Sequence, residues 1–181
     1  EKAVDFHNLL ENLKKQSFFS DLTIERGIEK ESLRVTRSGF ISNEEHPKAL
    51  GSSYTNPSIT TDFAESLIEI VTPTYKSIDE LYEKLKIIHI FINQNLTNEE
   101  MLWPFSMPPK IEDESKIVIA TYGKSNMGKL KHVYRKGLAI RYGKTMQCVS
   151  GIHYNFSISK ASFKRLGYAS QDKRNEAYLN L

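Results

Sequence analysis

Gly27-Ile28-Glu29-Lys30-Glu31-Ser32-Leu33-Arg34-Val35 is the stretch on which the fold turns. Its residues alternate, which predicts a strand over Ile28 to Val35 with Glu29, Glu31, Leu33 and Val35 on one face. Arg37-Ser38-Gly39 then turns the chain into a short second strand at Phe40-Ile41. The two carboxylates stand about 6.6 Å apart at a rise of about 3.3 Å per residue. At an effective dielectric near 20 they repel by roughly 2.5 kcal/mol, and full exposure to water would bring that below about 1 kcal/mol. Leu33 and Val35 carry the same face into apolar territory. A partly buried acidic pair wants a counter-charge, and Mg²⁺ held by oxygen ligands is the natural one. An exposed pair with no function is the plain alternative.

Two further stretches extend this reading. In Ile59-Thr60-Thr61-Asp62-Phe63-Ala64-Glu65-Ser66-Leu67-Ile68-Glu69-Ile70-Val71-Thr72-Pro73, residues Leu67 to Val71 read as a buried strand. Asp62 and Glu69 are seven apart and of opposite parity, so on one chain they converge only through a bend or bulge. Glu65 and Glu69 share a face with Leu67 between them. The plain alternatives are that Asp62 ends a turn and Glu69 pairs with a lysine. From Thr145 to Ile158 the alternation predicts one long strand, with Met146, Cys148, Ser150, Ile152, Tyr154, Phe156 and Ile158 on the core face. His153 falls at the centre of its polar face, as a metal neighbour or simply a hydrogen-bonded histidine. Cys148, on the core side, reads as a packed thiol.

The remainder is helical or looped. Val4, Leu9, Leu10 and Leu13 predict an amphipathic helix over 3–15, and His46 to Ser58 has loop composition. Ser77 and Glu80 form a capping signature before Leu81, Leu85, Ile88 and Ile92. Pro104, Pro108 and Pro109 keep residues 101–109 extended. Lys116 to Ala120 reads as a short strand, and Met127 to Tyr142 as a helix stopped by Gly143. Helices mixed with hairpin-like strands give an α+β fold with a largely antiparallel sheet. That argues against a phosphate loop at Gly123 to Leu130, where Leu130 also stands in place of the required hydroxyl. A helix start with basic residues still attracts phosphate or carboxylate.

Composition sets outer bounds. With 181 residues, 39% hydrophobic and 26% charged, the chain suits one globular domain. One cysteine excludes an internal disulfide framework and points to a reducing compartment, hence a cytoplasmic protein. No apolar run is long enough to span a bilayer, and Glu1, Lys2 and Asp5 do not open a secretory signal. Without an initiator Met, and ending in what reads as the first turns of a helix, the chain reads as a fragment. The net charge is +3, yet Gly123 to Lys144 carries seven Lys or Arg and no acid, leaving the rest at −4. A basic block beside an acidic remainder suits a site that handles anions with metal ions, and also a solvated helix face.

Taken in order, GIEKESLRV, HPKALGS, ITTDFAESLIEIVTP, MLWPFSMPP, YGKSNMGKLKHVYRKGLAIRYG and MQCVSGIHYNFS resemble successive blocks of the bacterial glutamate–cysteine ligases. The resemblance runs from about Gly27 to Ser157. It implies that residues 1–181 are a single N-terminal portion, about one third, of a longer catalytic domain with a curved antiparallel sheet similar to that of glutamine synthetase. It implies ATP as co-substrate and Mg²⁺, with Mn²⁺ as a substitute, for joining the γ-carboxylate of glutamate to cysteine through a γ-glutamyl phosphate, the first step of glutathione biosynthesis.

By the same resemblance Glu29, Glu31, Asp62 and Glu69 are metal ligands, and His153 is a ligand or close neighbour of the metals. Phe63, Tyr134, Leu138 and Gln147 match the cysteine pocket, and Arg135 an anionic group of substrate or phosphate. The implied partners are glutamate, cysteine, ATP and the rest of the chain, with neither nucleic acid nor membrane, and the fragment alone is expected to be inactive. Two other readings stand beside this one. One is a ligase of the same fold with a different amine acceptor. The other is an anion- or nucleic-acid-binding module built on residues 123–144 with Tyr134 and Tyr142 for stacking.

Overall fold

The structure, a computed structural model, describes residues 6–15, 22–97 and 99–179. By internal contacts the chain divides into two compact units, residues 27–155 and a second formed by residues 1–26 with 156–181. Among the described residues no helix is long and apolar enough to cross a membrane.

The larger unit is built on strand β1 (Ile24–Thr36), the strand expected over Ile28 to Val35 and longer by several residues. Residues 29–33 of β1 pair antiparallel with β3 (Leu67–Val71), placing Glu31 opposite Glu69 and Leu33 opposite Leu67. The other side of β3 pairs antiparallel with β2 (Ile59–Thr61), with Thr60 opposite Glu69. At its far end β1 pairs antiparallel with β4 (Glu100–Leu102), and β5 (Ile152–Ile158) also pairs with β1. This is the mixed helical and antiparallel-sheet architecture expected of the sequence.

Each face of the sheet carries its own core. On one, Ile59, Ile68 and Ile70 pack with Leu50 and with Ile88 and Ile92 of helix α2 (Ile78–Asn95). Ser77 caps α2, its side chain accepting from the Glu80 N–H at 3.4 Å. On the other, Leu33, Ile41, Phe63, Ala64, Leu67, Ile117 and Cys148 form the cluster. Leu138 and Ala139 of helix α3 (Asn126–Tyr142) pack against it. Side chains two apart on a strand share a face. Glu29, Glu31 and Glu69 therefore lie on the α3 side of the sheet, just past its apolar rows.

A buried ion pair holds the loop before β2. Arg34 and Glu100 meet at 2.5 Å with side chains 0% and 3% exposed. Ser42 Oγ also donates to Glu100, and Arg34 reaches the carbonyls of Glu44, Glu45 and Glu65.

In the smaller unit, helix α1 (Phe6–Lys15) matches the expected amphipathic helix, while Val4 lies outside the described residues. Helices α4 (Lys160–Arg165) and α5 (Gln171–Leu179) complete it. Phe163 is buried, with the Tyr178 ring edge-on at 5.0 Å and the Tyr178 hydroxyl accepting from the Ile158 N–H.

Several strand expectations fail. Thr145–Gln147 is a 3-10 turn, and β5 begins only at Ile152. Glu114 explains the change: its carboxylate accepts from the Lys144 N–H at 2.6 Å and from Thr145 Oγ1 at 2.9 Å, winding the chain where its alternation called for extension. The face expected to be core is mostly exposed, with Met146 at 69% and Ile152, Tyr154 and Phe156 also exposed. Cys148 and Ser150 are buried. Residues 116–120 likewise begin in a 3-10 turn, capped by Asp113, and keep a single bridge, Ala64 to Ile119. The Phe40-Ile41 strand is reduced to bridges with Lys110 and Val35.

Candidate active site

Register gathers the acidic residues. Glu31 and Glu69 are direct cross-strand partners on β1 and β3. Asp62 donates its N–H to the Leu67 carbonyl at 3.0 Å, which places it opposite Leu67 and on the same side as Glu69. A complete chain reversal between β2 and β3 thus replaces the expected bend or bulge: Asp62, just past the end of β2, and Glu69 on β3 lie on opposite arms of a hairpin, where opposite parity in sequence is no obstacle. Glu65, expected beside Glu69, is buried in that reversal instead. Its carboxylate accepts from Thr121 N–H and Oγ1, both at 2.7 Å, and from the His46 N–H at 3.2 Å.

The edge next to Glu31 is closed by Gly151. The Glu31 N–H donates to the Gly151 carbonyl at 3.0 Å, and the Gly151 N–H donates to Glu31 Oε2 at 2.7 Å. Two residues on, His153 Nδ1 lies 3.3 Å from Glu29 Oε2. A Cβ on Gly151 would come within 3.3 Å of His153 Nε2 and 3.6 Å of Glu31 Oε2. Glycine leaves room there for both side chains. A glycine inside an alternating strand is the sequence signal for such a close approach.

The electrostatics follow from this crowding. Burial raises the Glu31 carboxyl, the Gly151 N–H opposes the shift, and Asp62 and Glu29 add to it. Burial raises Glu69 as well, with Asp62, Glu31 and Glu29 adding and Arg135 opposing. Arg135, on α3, donates through Nε to the Asp62 carbonyl and through a terminal nitrogen to the Lys131 carbonyl at 3.1 Å. Its other terminal nitrogen stands 3.8 Å from Asp62 Oδ1. The guanidinium is a partial counter-charge to the acids.

Carboxylate oxygens are the donors that a hard divalent cation takes, whereas an imidazole nitrogen suits transition metals. In chemistry Glu29, Glu31, Asp62 and Glu69 fit such an ion, with His153 beside Glu29 as its neighbour. In spacing they are spread over β1, β3, β5 and the residue that follows β2, and among the described residues no three His, Cys, Asp or Glu side chains converge closely enough to hold one ion.

The residues matched to a cysteine pocket are only partly assembled. Phe63 is 1% exposed in the apolar cluster, and Leu138 packs against that cluster. Tyr134, one turn before Leu138 on α3, is 63% exposed. Gln147 ends the 3-10 turn next to buried Cys148. A cleft of about 790 Å³ lies elsewhere, lined among others by His46, Lys48, Tyr54, Glu65 and Lys124. No candidate site residue lines it, so cleft size does not locate this site.

The glycines at 123–130 do not form a phosphate loop. Ser125 caps α3 through the Gly128 N–H, and a Cβ on Gly128 would collide with the Tyr122 carbonyl oxygen, so this glycine seats the helix.

A row of carboxylates on an antiparallel sheet beside a basic helix is the setting of the candidate site. The glutamate–cysteine ligase family model matches residues 8–181, and the chain belongs to that family. It is 46% identical over 178 residues to a glutamate–cysteine ligase of Hahella chejuensis, covering 95% of this chain and 34% of that protein. It is 51% identical over 150 residues to one from Pseudomonas putida, covering 83% and 28%. The chain therefore spans about a third of the length of the curated relatives it matches.

Among solved structures, the glutamate–cysteine ligase of Francisella tularensis in complex with AMP superposes with a TM-score of 0.78 at 43% identity, over 81% of this chain and 29% of that one. A bifunctional glutathione synthetase of Pasteurella multocida gives 0.76 at 36% identity, over 91% and 21%.

Proposed function

We propose that this chain supplies the acidic, cation-holding part of a longer enzyme that joins glutamate to cysteine at the expense of ATP. The observation that carries the reading is that Glu29, Glu31, Asp62 and Glu69 lie on one side of the sheet, with burial and then their neighbours' charges raising Glu31 and Glu69. A carboxylate is a poor electrophile. Transfer of the terminal phosphoryl group of ATP to the γ-carboxylate of glutamate gives an acyl phosphate and ADP. The amine of cysteine then attacks the acyl carbon, phosphate leaves, and the nitrogen loses a proton.

Divalent cations, Mg²⁺ first and Mn²⁺ as a substitute, screen the negative charge that gathers during phosphoryl transfer. In this chain Glu29, Glu31, Asp62 and Glu69 would hold them, with His153 fixing Glu29. Arg135 orients an anionic group at the edge of the acidic face. Phe63, Tyr134, Leu138 and Gln147 would shape the thiol side once the remaining length of the protein is present. We place the reaction in the cytoplasm, where thiols stay reduced.

The test is ADP release by the full-length protein with Mg²⁺-ATP, adding glutamate and cysteine singly and together. Strong stimulation by the pair, lost in Glu31→Gln, is the expected result. Equal stimulation by glutamate with another amine overturns the cysteine assignment. Hydrolysis indifferent to both amino acids overturns the ligase reading.

A further inference from the structure

We propose that Tyr122 is a positioning residue, coupling the helix that carries Arg135 to the hairpin that carries Asp62 and Glu69. Its effect on turnover rests on the ligase reading; the coupling itself rests on contacts. Tyr122 is 3% exposed. Its hydroxyl points its proton at two carbonyls, Thr61 at 2.7 Å and Asp62 at 2.8 Å. The Asp62 carbonyl also accepts from Arg135 Nε, so one oxygen ties the phenol and the guanidinium together. Arg135 Cζ lies 4.6 Å from the centre of the Tyr122 ring, and Lys131 Nζ lies 5.0 Å from it. Such contacts hold a cation over an aromatic face. Gly128 packs α3 directly on the Tyr122 backbone, and His132 Nδ1 sits 2.8 Å from the Ala120 carbonyl, so the helix is seated on residues 120–122.

A buried tyrosine usually finds a partner for its hydroxyl, and a purely packing role would satisfy that rule. Tyr122 does more. It restrains Arg135, whose guanidinium borders the carboxylates. With the ring in place, Arg135 is held by the Asp62 and Lys131 carbonyls and faces Asp62 Oδ1 only at 3.8 Å. Without the ring, the guanidinium is free to swing fully onto Asp62 and Glu69 and to compete there with a divalent cation. Removal of Tyr122 therefore weakens cation binding, and it does so through Arg135.

The experiment is a double-mutant cycle on the full-length protein, read by calorimetric titration with Mg²⁺ alone and by ADP release. Tyr122→Leu is expected to weaken Mg²⁺ binding about tenfold when Arg135 is present and to have little effect in an Arg135→Ala background. Tyr122→Phe keeps the ring and is expected to stay within about threefold of the parent. Equal loss with and without Arg135 overturns the proposal, as does wild-type binding in Tyr122→Leu. Should Tyr122→Leu not fold, the same cycle is read with Tyr122→Met, which also removes the ring; unchanged Mg²⁺ binding, or a loss independent of Arg135, overturns the proposal equally. Failure of the parent protein to release ADP with glutamate and cysteine overturns the ligase reading instead and leaves the Mg²⁺ cycle to decide the role of Tyr122.

Discussion

Glu31 on β1 and Glu69 on β3 are direct antiparallel partners, two carboxylates facing one another across a sheet whose next row, Leu33 and Leu67, is apolar. Like charges directly opposite on a sheet destabilise it. Burial raises both groups further, and Arg135 offsets only part of the cost at Glu69. Either Glu31→Gln or Glu69→Gln is therefore expected to raise the thermal midpoint in chelator by a few degrees while abolishing Mg²⁺-dependent ADP release. Thermal unfolding and turnover measured on the same samples check this. A destabilised Glu69→Gln protein would contradict it.

Gly151 lets Glu31 and His153 share one corner of the site. Its missing Cβ would stand 3.3 Å from His153 Nε2, tight enough that the ring has to give way. The imidazole is exposed and can move, so Gly151→Ala is expected to fold with little loss of stability. Its cost falls on function, through a displaced His153, since the 3.6 Å approach to Glu31 Oε2 is ordinary contact. Half-saturation for Mg²⁺ is expected to rise about tenfold, in keeping with the loss of a hydrogen bond to a charged group. Wild-type Mg²⁺ dependence in this variant would mean that His153 does not act at the cation site.

The sequence made the acidic face legible because strand parity is a local property. Glu29 and Glu31 on one face, Leu67–Val71 as a strand and Ser77 as a cap all follow from neighbouring residues alone. Asp62 was harder to place, because its approach to Glu69 depends on where the chain reverses and not on parity within one strand. Thr145–Ile158 misled for a different reason. Its alternation is real, but Glu114, some thirty residues earlier, captures the Lys144 and Thr145 donors and turns the chain. Tyr122 carried no signal at all: its partners are the backbone of a hairpin sixty residues away and a helix that begins four residues later.

Arg34 and Glu100 illustrate the cost of leaving a buried charge alone. Arg34→Met removes the guanidinium and, among the described residues, leaves Glu100 with Ser42 and Thr97 to donate to it. Breaking a buried pair in this way costs about 3–5 kcal/mol, whereas replacing both partners by apolar groups is often close to neutral. The carbonyls of Glu44, Glu45 and Glu65 lose a donor in either case. Denaturant unfolding is expected to place Arg34→Met well below the parent, with Arg34→Met/Glu100→Leu recovering part of the difference. A double variant no better than the single one would show that the carbonyl contacts dominate.

Cys148 tests the packing of the α3-side core without touching the acidic face. Burial, followed by the nearby Glu114, pushes its thiol up to about 12 from a usual 9.0. The thiolate is the nucleophile, so the native protein is expected to resist iodoacetamide at pH 8 and to react fully once unfolded. The linkage has a definite sign. A thiol whose folded value lies above its unfolded value costs no stability below pH 9, where both states are protonated. Stability is then lost as pH rises from 9 toward 12, because only the unfolded chain gives up the proton easily. Cys148→Ala removes this alkaline slope, although the small cavity it leaves lowers stability at neutral pH. Rapid alkylation of the folded protein at pH 8 would show that the 3-10 turn at Thr145–Gln147 opens far more readily than its bonds to Glu114 imply.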